Sequence, residues 1–281
     1  MCIRDSSYRF LSKVDGLSEA GVREILYDEV SDQLIIAYAS SVVDIVQGSE
    51  VLRVSDIADK ADIQGDKLIY DMHVQDQLLY LATGFGLVEF DLESLEFGFT
   101  LDISTRVNSV DGAEGRLVIA TEDGAYRLDL SSTNVPAFFE EWEKLERGLP
   151  EGDVADVYMV DNRTMLAIGS ALYVSEDTMA FSLLYDASPM EMLFVQAAPQ
   201  GYMTGERLPD NAQGGQVAVF DTEDNFLFSD ASCNDKMLDA AIAPDGRLVL
   251  ADQWLTLRHK DINNSDAVSY THLTLPTTPY V

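Results

Sequence analysis

A strand–turn–strand stretch returns six times in this sequence, and its first arm is apolar on both faces. The copies are QLIIAYASSVVDIV (33–46), QLLYLATGFGLVEFDL (77–92), GRLVIATEDGAYRLDL (115–130), TMLAIGSALYVS (164–175), GYMTGERLPDNAQGGQVAVFD (201–221) and RLVLADQWLTLRHKD (247–261). In the third copy Leu117, Ile119 and Thr121 point one way, and Val118 and Ala120 the other. A strand apolar on both faces is normally covered on both faces. A small residue closes each first arm, at Ala37, Ala82, Ala120, Ala167, Thr204 and Ala251. These recur about every 43 residues, the blade length of a β-propeller.

The rest of each period supplies two more strands. One precedes each hairpin: VREILYD (22–28), LIYDMHV (68–74), VNSVDG (107–112), VADVYMV (154–160), MLFVQAA (192–198) and MLDAAIA (237–243). Another follows it: EVLRVSD (50–56), EFGFTLD (96–102), WEKLE (142–146), FSLLYD (181–186) and FLFSD (226–230). The links echo as well, LSKVDGLSEAGV (11–22) with WEKLERGLPEGDV (142–154), with Gly16 and Gly148 suited to positive φ. The expected fold class is all-β, a propeller of four-stranded blades in which neighbouring sheets cover one another's faces. Six partial or complete blades are expected: five full ones, preceded by an orphan fourth strand at 7–14, and a sixth that lacks its fourth strand. The whole ring is expected to hold six or seven. Helical signal is confined to a short turn at 136–141, opened by Pro136.

The two ends read differently. Residues 1–6 (MCIRDS) and 268–281 (VSYTHLTLPTTPYV) match in-frame translations of a sequencing adapter and of its reverse complement. They are set aside from the fold, which leaves 7–267 as the propeller, expected to be incomplete at both ends. Cys2 then drops out, and the remaining Cys233 is expected as a buried thiol with no internal disulfide.

The net charge of −31 weighs against a phosphate backbone as partner, so nucleic acid is excluded. The acids are scattered between strands, which suits a solvated surface, such as that of a protein from a saline habitat, better than a divalent-cation site. No apolar run is long enough to span a membrane. No catalytic, cofactor or metal residues are assigned. His73 lies in an alternating strand and reads as packed or surface imidazole. His259, between Arg258 and Lys260, reads as exposed. DTEDN (221–225) lacks the calcium-loop pattern and reads as a hairpin turn. GFG (84–86) has no phosphate-loop continuation and reads as a turn. Trp142 and Trp254 read as packing between blades rather than as sugar platforms. The first-strand positions Val22, Ile25, Leu68, Val107, Val154 and Met192 are apolar, which argues against a polar catalytic channel. The insert at 205–215, with Arg207, Asn211 and Gly214-Gly215, is the most individual loop and a candidate contact surface.

GRLVIATEDGAYRLDL and GLPEGDV resemble the repeats of two-component-regulator propellers. The longer run from LSKVDGLSEAGVREILYD through FGLVEFDLE is similar to the N-terminal propeller of the PorZ family of the type IX secretion system, a resemblance that holds over about 8–130. That resemblance implies a non-catalytic cell-surface component at the outer-membrane exterior or periplasm. It also implies protein partners in an attachment complex, association with anionic lipopolysaccharide, and no cofactor. The alternative is the extracellular sensor propeller of a hybrid two-component regulator. A propeller lyase or glycosidase is a third reading, and it would need polar residues at the channel.

Overall fold

The computed structural model describes residues 11–272 except 62, 64, 132–134, 161, 177–179, 210–213, 234–236, 243–246, 253–255 and 262–267. Its strands form six antiparallel sheets of four, each connected up and down in chain order. The first holds β1 (Val22–Asp28), β2 (Gln33–Tyr38), β3 (Val43–Gln47) and β4 (Glu50–Val54). The second holds β5 (Ile69–Gln75), β6 (Leu78–Thr83), β7 (Gly86–Asp91) and β8 (Glu96–Asp102). The third holds β9 (Val107–Ala113), β10 (Arg116–Thr121), β11 (Gly124–Asp129) and β12 (Glu143–Leu145). The fourth holds β13 (Asp156–Val160), β14 (Arg163–Ile168), β15 (Ala171–Glu176) and β16 (Ser182–Asp186). The fifth holds β17 (Glu191–Ala198), β18 (Gly201–Arg207), β19 (Gly215–Asp221) and β20 (Phe226–Cys233). The sixth holds β21 (Met237–Ile242), β22 (Arg247–Asp252), β23 (Thr256–Asp261) and β24 (Val268–His272).

Five blades are therefore complete within 22–233. The sixth sheet, expected to lack its fourth strand, has one only because β24 pairs with β23. β24 falls in the terminal segment that the sequence sets aside. An outer strand needs only a free edge to bond to, so almost any extended segment can occupy that place.

The chain divides into two compact units, with the boundary inside β9, after Val110. In the first unit one apolar layer joins two sheets. Ile35, Ala37, Val43 and Ile45 meet Met72, Leu79, Leu81, Val88 and Phe90. In the second unit Val118 and Ala120 meet Val157 and Leu166, then Met165 and Ala167 meet Val195, Tyr202 and Ala218. Met203, Val217 and Val219 in turn meet Ala240, Leu248 and Leu250. β10 is the clearest case of a strand apolar on both sides, since Leu117, Val118, Ile119 and Ala120 are all fully buried.

Three expectations are corrected. Residues 12–15, read as part of a fourth strand, form a capped 3-10 turn at Lys13–Asp15 in which Ser12 Oγ and Asp15 exchange hydrogen bonds; residues 7–10 of that strand lie outside the described residues. A serine three residues before an aspartate offers the backbone this local alternative to a ladder. A one-turn helix α1 (Asp56–Asp59) takes over where the strand 50–56 was expected to end. In the fifth blade the residue matching Ala82 and Ala167 is Gly205, not Thr204. Gly205 stands opposite Phe194 in register, and a Cβ there would lie 2.1 Å from the Phe194 ring. The helical turn expected at 136–141 is a 3-10 turn at Phe139–Glu141.

Candidate interaction surfaces

The link GLPEGDV (148–154) shapes an indented surface of the second unit. Phe181 N–H donates to the Arg147 carbonyl at 2.8 Å, which draws two chain segments together beside Gly148. Gly148 has φ 84°, and a Cβ would lie 2.0 Å from the Phe181 carbonyl oxygen, so only glycine fits. Beyond it Leu149 packs into the core, and Pro150–Gly152 stands between two depressions of about 570 and 200 Å³. The larger is bordered by Asp153, Glu191, Leu193 and Arg207. The smaller is bordered by Asp123, Lys144 and Glu146. Lys144 is held 3.7 Å from Glu146 and lies over the Tyr126 ring. Acids outnumber bases along both rims, so the surface suits a basic or mixed protein face better than an anionic polymer.

Arg207 therefore belongs to a concave surface, where it ends β18 opposite both Glu191 and Gly215. The base of the 205–215 insert is ordinary ladder, closed by Leu208 N–H on the Gly214 carbonyl at 3.3 Å. Asn211 lies outside the described residues. The first unit has its own groove of about 490 Å³ beneath α1, floored by Ile57, Phe85, Val88 and Phe97 and edged by Asp56 and Lys60. Nothing in the sequence pattern marks this groove, since only the first residue of α1, Asp56, falls in the strand expected at 50–56 and the rest of α1 carries no repeat signal.

Several acids are buried, and their partners account for them. Asp44 is fully buried and accepts from Ser18 N–H, Ser18 Oγ and Tyr38 OH at 2.7, 2.6 and 2.7 Å. Glu206 is fully buried and accepts from Thr204 Oγ1 at 2.8 Å and from Gln216 Nε2. Burial raises the Glu206 carboxyl above the usual range. Burial, then the Glu206 charge, pushes the Tyr185 phenol up to about 12. Arg163 Nη2 is bidentate to Asp224 at 2.9 and 2.8 Å, and Tyr202 OH donates to the same carboxylate at 3.1 Å. In each set the carboxylate is held by the protein's own donors: the Asp44 set ties the link residue Ser18 to the first blade, and the Arg163–Asp224 pair joins the fourth blade to the fifth.

The remaining residues singled out by sequence fall as follows. His73 is half-buried in β5 opposite Tyr80. His259 pairs along β23, Cys233 ends β20, and Trp254 lies outside the described residues. Trp142 is buried. DTEDN is a hairpin turn in which Asp221 accepts from Glu223 and Asn225 N–H, both at 2.9 Å. GFG is a turn closed by Thr83 Oγ1 on the Gly86 carbonyl at 2.8 Å. Val107, Val154 and Met192 are buried, whereas Val22 and Ile25 are exposed. Among the described residues no group of three His, Cys, Asp or Glu is placed to hold a metal. No helix among them is long and apolar enough to cross a membrane.

Repeated four-stranded antiparallel blades, faced with apolar layers and carrying their indentations in the links, define a β-propeller. Within that class the chain belongs to the family of the type IX secretion protein PorZ, N-terminal β-propeller domain, whose model matches residues 3–143, half of the chain. Its fold is similar to the solved structure of PorZ, a bacterial surface component of the type IX secretion system of Porphyromonas gingivalis. The identity there is 18%, with 94% of this chain and 48% of that one covered, and the TM-score is 0.58. It is also similar to the extracellular domains of two putative hybrid two-component systems of B. thetaiotaomicron. Both are 14% identical; they cover 93% and 91% of this chain and 34% and 35% of their own, with TM-scores of 0.70 and 0.66. The chain thus spans about half the PorZ chain and about a third of either sensor. No curated protein matches it in sequence.

Proposed function

We propose that this chain is a non-catalytic propeller scaffold of the type IX secretion system, exposed at the cell surface or to the periplasm, that works by binding protein partners. The family match over 3–143 carries the reading. The acid-rimmed depressions beside Pro150–Gly152 are the contact surface we favour, with basic or mixed protein faces as occupants. Anionic lipopolysaccharide is a weaker ligand, because a charge of −31 repels it unless divalent cations bridge the two. The sensor propeller of a two-component regulator is the second reading, supported by the TM-score of 0.70 to a sensor domain against 0.58 to PorZ.

Deleting the full-length gene in its host separates the two. The scaffold reading predicts that secreted cargo is left unanchored or unprocessed at the cell surface. Normal cargo attachment, with loss of a transcriptional response to polysaccharide, overturns it in favour of the sensor.

A further inference from the structure

The link between the first and second blades runs over 55–68, whereas the links before β9 and β17 are confined to 103–106 and 187–190. A long link in a packed fold is more often used for binding than for support. This one folds back as α1 and is pinned there by its own chain. Lys67 Nζ donates to the Ala58 carbonyl at 3.1 Å and to the Lys60 carbonyl, and Ser55 Oγ donates to Asp59 Oδ2 at 2.7 Å. The groove of about 490 Å³ lies between this link and β8, with Thr100 on its far wall, wholly within the first unit.

The floor of the groove is core. Ile57, Phe85 and Val88 belong to the apolar layer between the first two blades, and Phe97, half-buried, stands edge-on to the Phe90 ring at 5.0 Å. The rim is acidic. Asp56 and Asp59 are exposed beside a single rim cation, Lys60, because Lys67 is spent on the carbonyls of the link. Among the described residues the uncharged polar groups of the lining are Ser55, already bonded to Asp59, and Thr100. A small-molecule site needs several converging polar groups, which this groove does not present. An apolar slot with a charged rim is instead how a side chain of a protein partner is held. An anionic lipid surface is repelled by Asp56 and Asp59, and a second copy of this chain by its charge of −31.

We propose that this groove docks an extended segment of a partner protein, which inserts one aromatic or branched aliphatic side chain and flanks it with lysine or arginine. The inserted side chain covers Ile57, Val88 and Phe97, and the flanking cations meet Asp56 and Asp59. The surface is separate from the depressions beside Pro150–Gly152, and it does not depend on the secretion reading. Attraction at an exposed rim is screened by ions, so added salt weakens the contact.

A fluorescein-labelled peptide Gly-Lys-Phe-Arg-Gly, titrated into the whole chain and read by anisotropy, tests this. In one control peptide glutamate replaces both bases, and in the other serine replaces the phenylalanine. The expected result is saturable binding that falls ~10-fold or more with either control. Asp56→Lys weakens it ~3-fold or more, Lys60→Glu tightens it, and Thr100→Trp, which fills the groove, abolishes it. Asp56 and Lys60 are exposed, and unchanged circular-dichroism melting of their variants excludes misfolding, so these two decide even if Thr100→Trp fails to fold. Hydrogen exchange with the peptide bound places new protection at 55–60 and 96–102. No saturable binding, equal binding of either control peptide, or protection at 148–154 in place of 55–60 overturns the proposal.

Discussion

Gly148 and Glu206 are where single side chains decide most. Gly148 combines φ 84° with a carbonyl oxygen 2.0 Å from where a Cβ would sit, so relaxation must move the Phe181 backbone. Gly148→Ala is expected to cost more than ~1 kcal/mol in denaturant unfolding, whereas Gly115→Ala, at φ 75° with open space around it, carries only the backbone strain. Equal losses at the two sites would contradict the crowding at Gly148. Glu206 makes a prediction in pH. Its folded carboxyl is raised by burial, so folding favours the protonated form. That contribution is fully present below the ordinary glutamate range and is lost as pH rises through the raised folded value. Unfolding curves from pH 4 to 7 should show wild type losing stability relative to Glu206→Gln as pH rises. A difference that stays flat, or of opposite slope, would show that the charged form is the one the site favours.

Between elements, aspartate clasps matter most: in Asp71, Asp111 and Asp156 one carboxylate oxygen accepts the N–H of the following residue and the other an N–H of the next blade. Asp156→Ala strands both Val157 and Val195 N–H groups, and Asp71→Ala does the same to Met72 and Val110. Each is expected to cost ~1–3 kcal/mol, and more than Asp239→Ala, which strands only Ala240. Equal losses at all three would mean that the second oxygen contributes nothing. The strands themselves were largely legible in the sequence, because apolar alternation and small residues recur at one period: β1 and β8 begin and end where the pattern does. What escaped was local. Ser12 and Asp15 close a turn on themselves, and the register of the fifth blade is set by Phe194 against Gly205, a contact that no periodicity reveals. The clasps escaped for a different reason: with 49 acids in the chain, the few that bond a neighbouring strand, Asp71, Asp111 and Asp156 among them, look like the rest until folding brings each to its second N–H.

For the whole molecule, charge and family set the expectations. A net charge of −31 makes compact states repel themselves, so melting should rise by roughly 2–5 °C from low salt to physiological salt. Residues 268–281 contribute one outer strand, β24, and their removal should leave the melting of the five blades in 22–233 unchanged; a cooperative loss of the whole fold would make that segment integral to it. The concave surfaces were only partly legible, since Arg207 was marked by its insert, while Glu151, Asp153 and Glu191 converge on it only through folding. That the chain acts by binding, as a scaffold in secretion, is tested most directly by removing the propeller alone from the full-length gene in its host. Cell fractionation then reads where secreted cargo resides. The account predicts cargo released to the medium, and cargo retained at the surface as in the parent strain would contradict it.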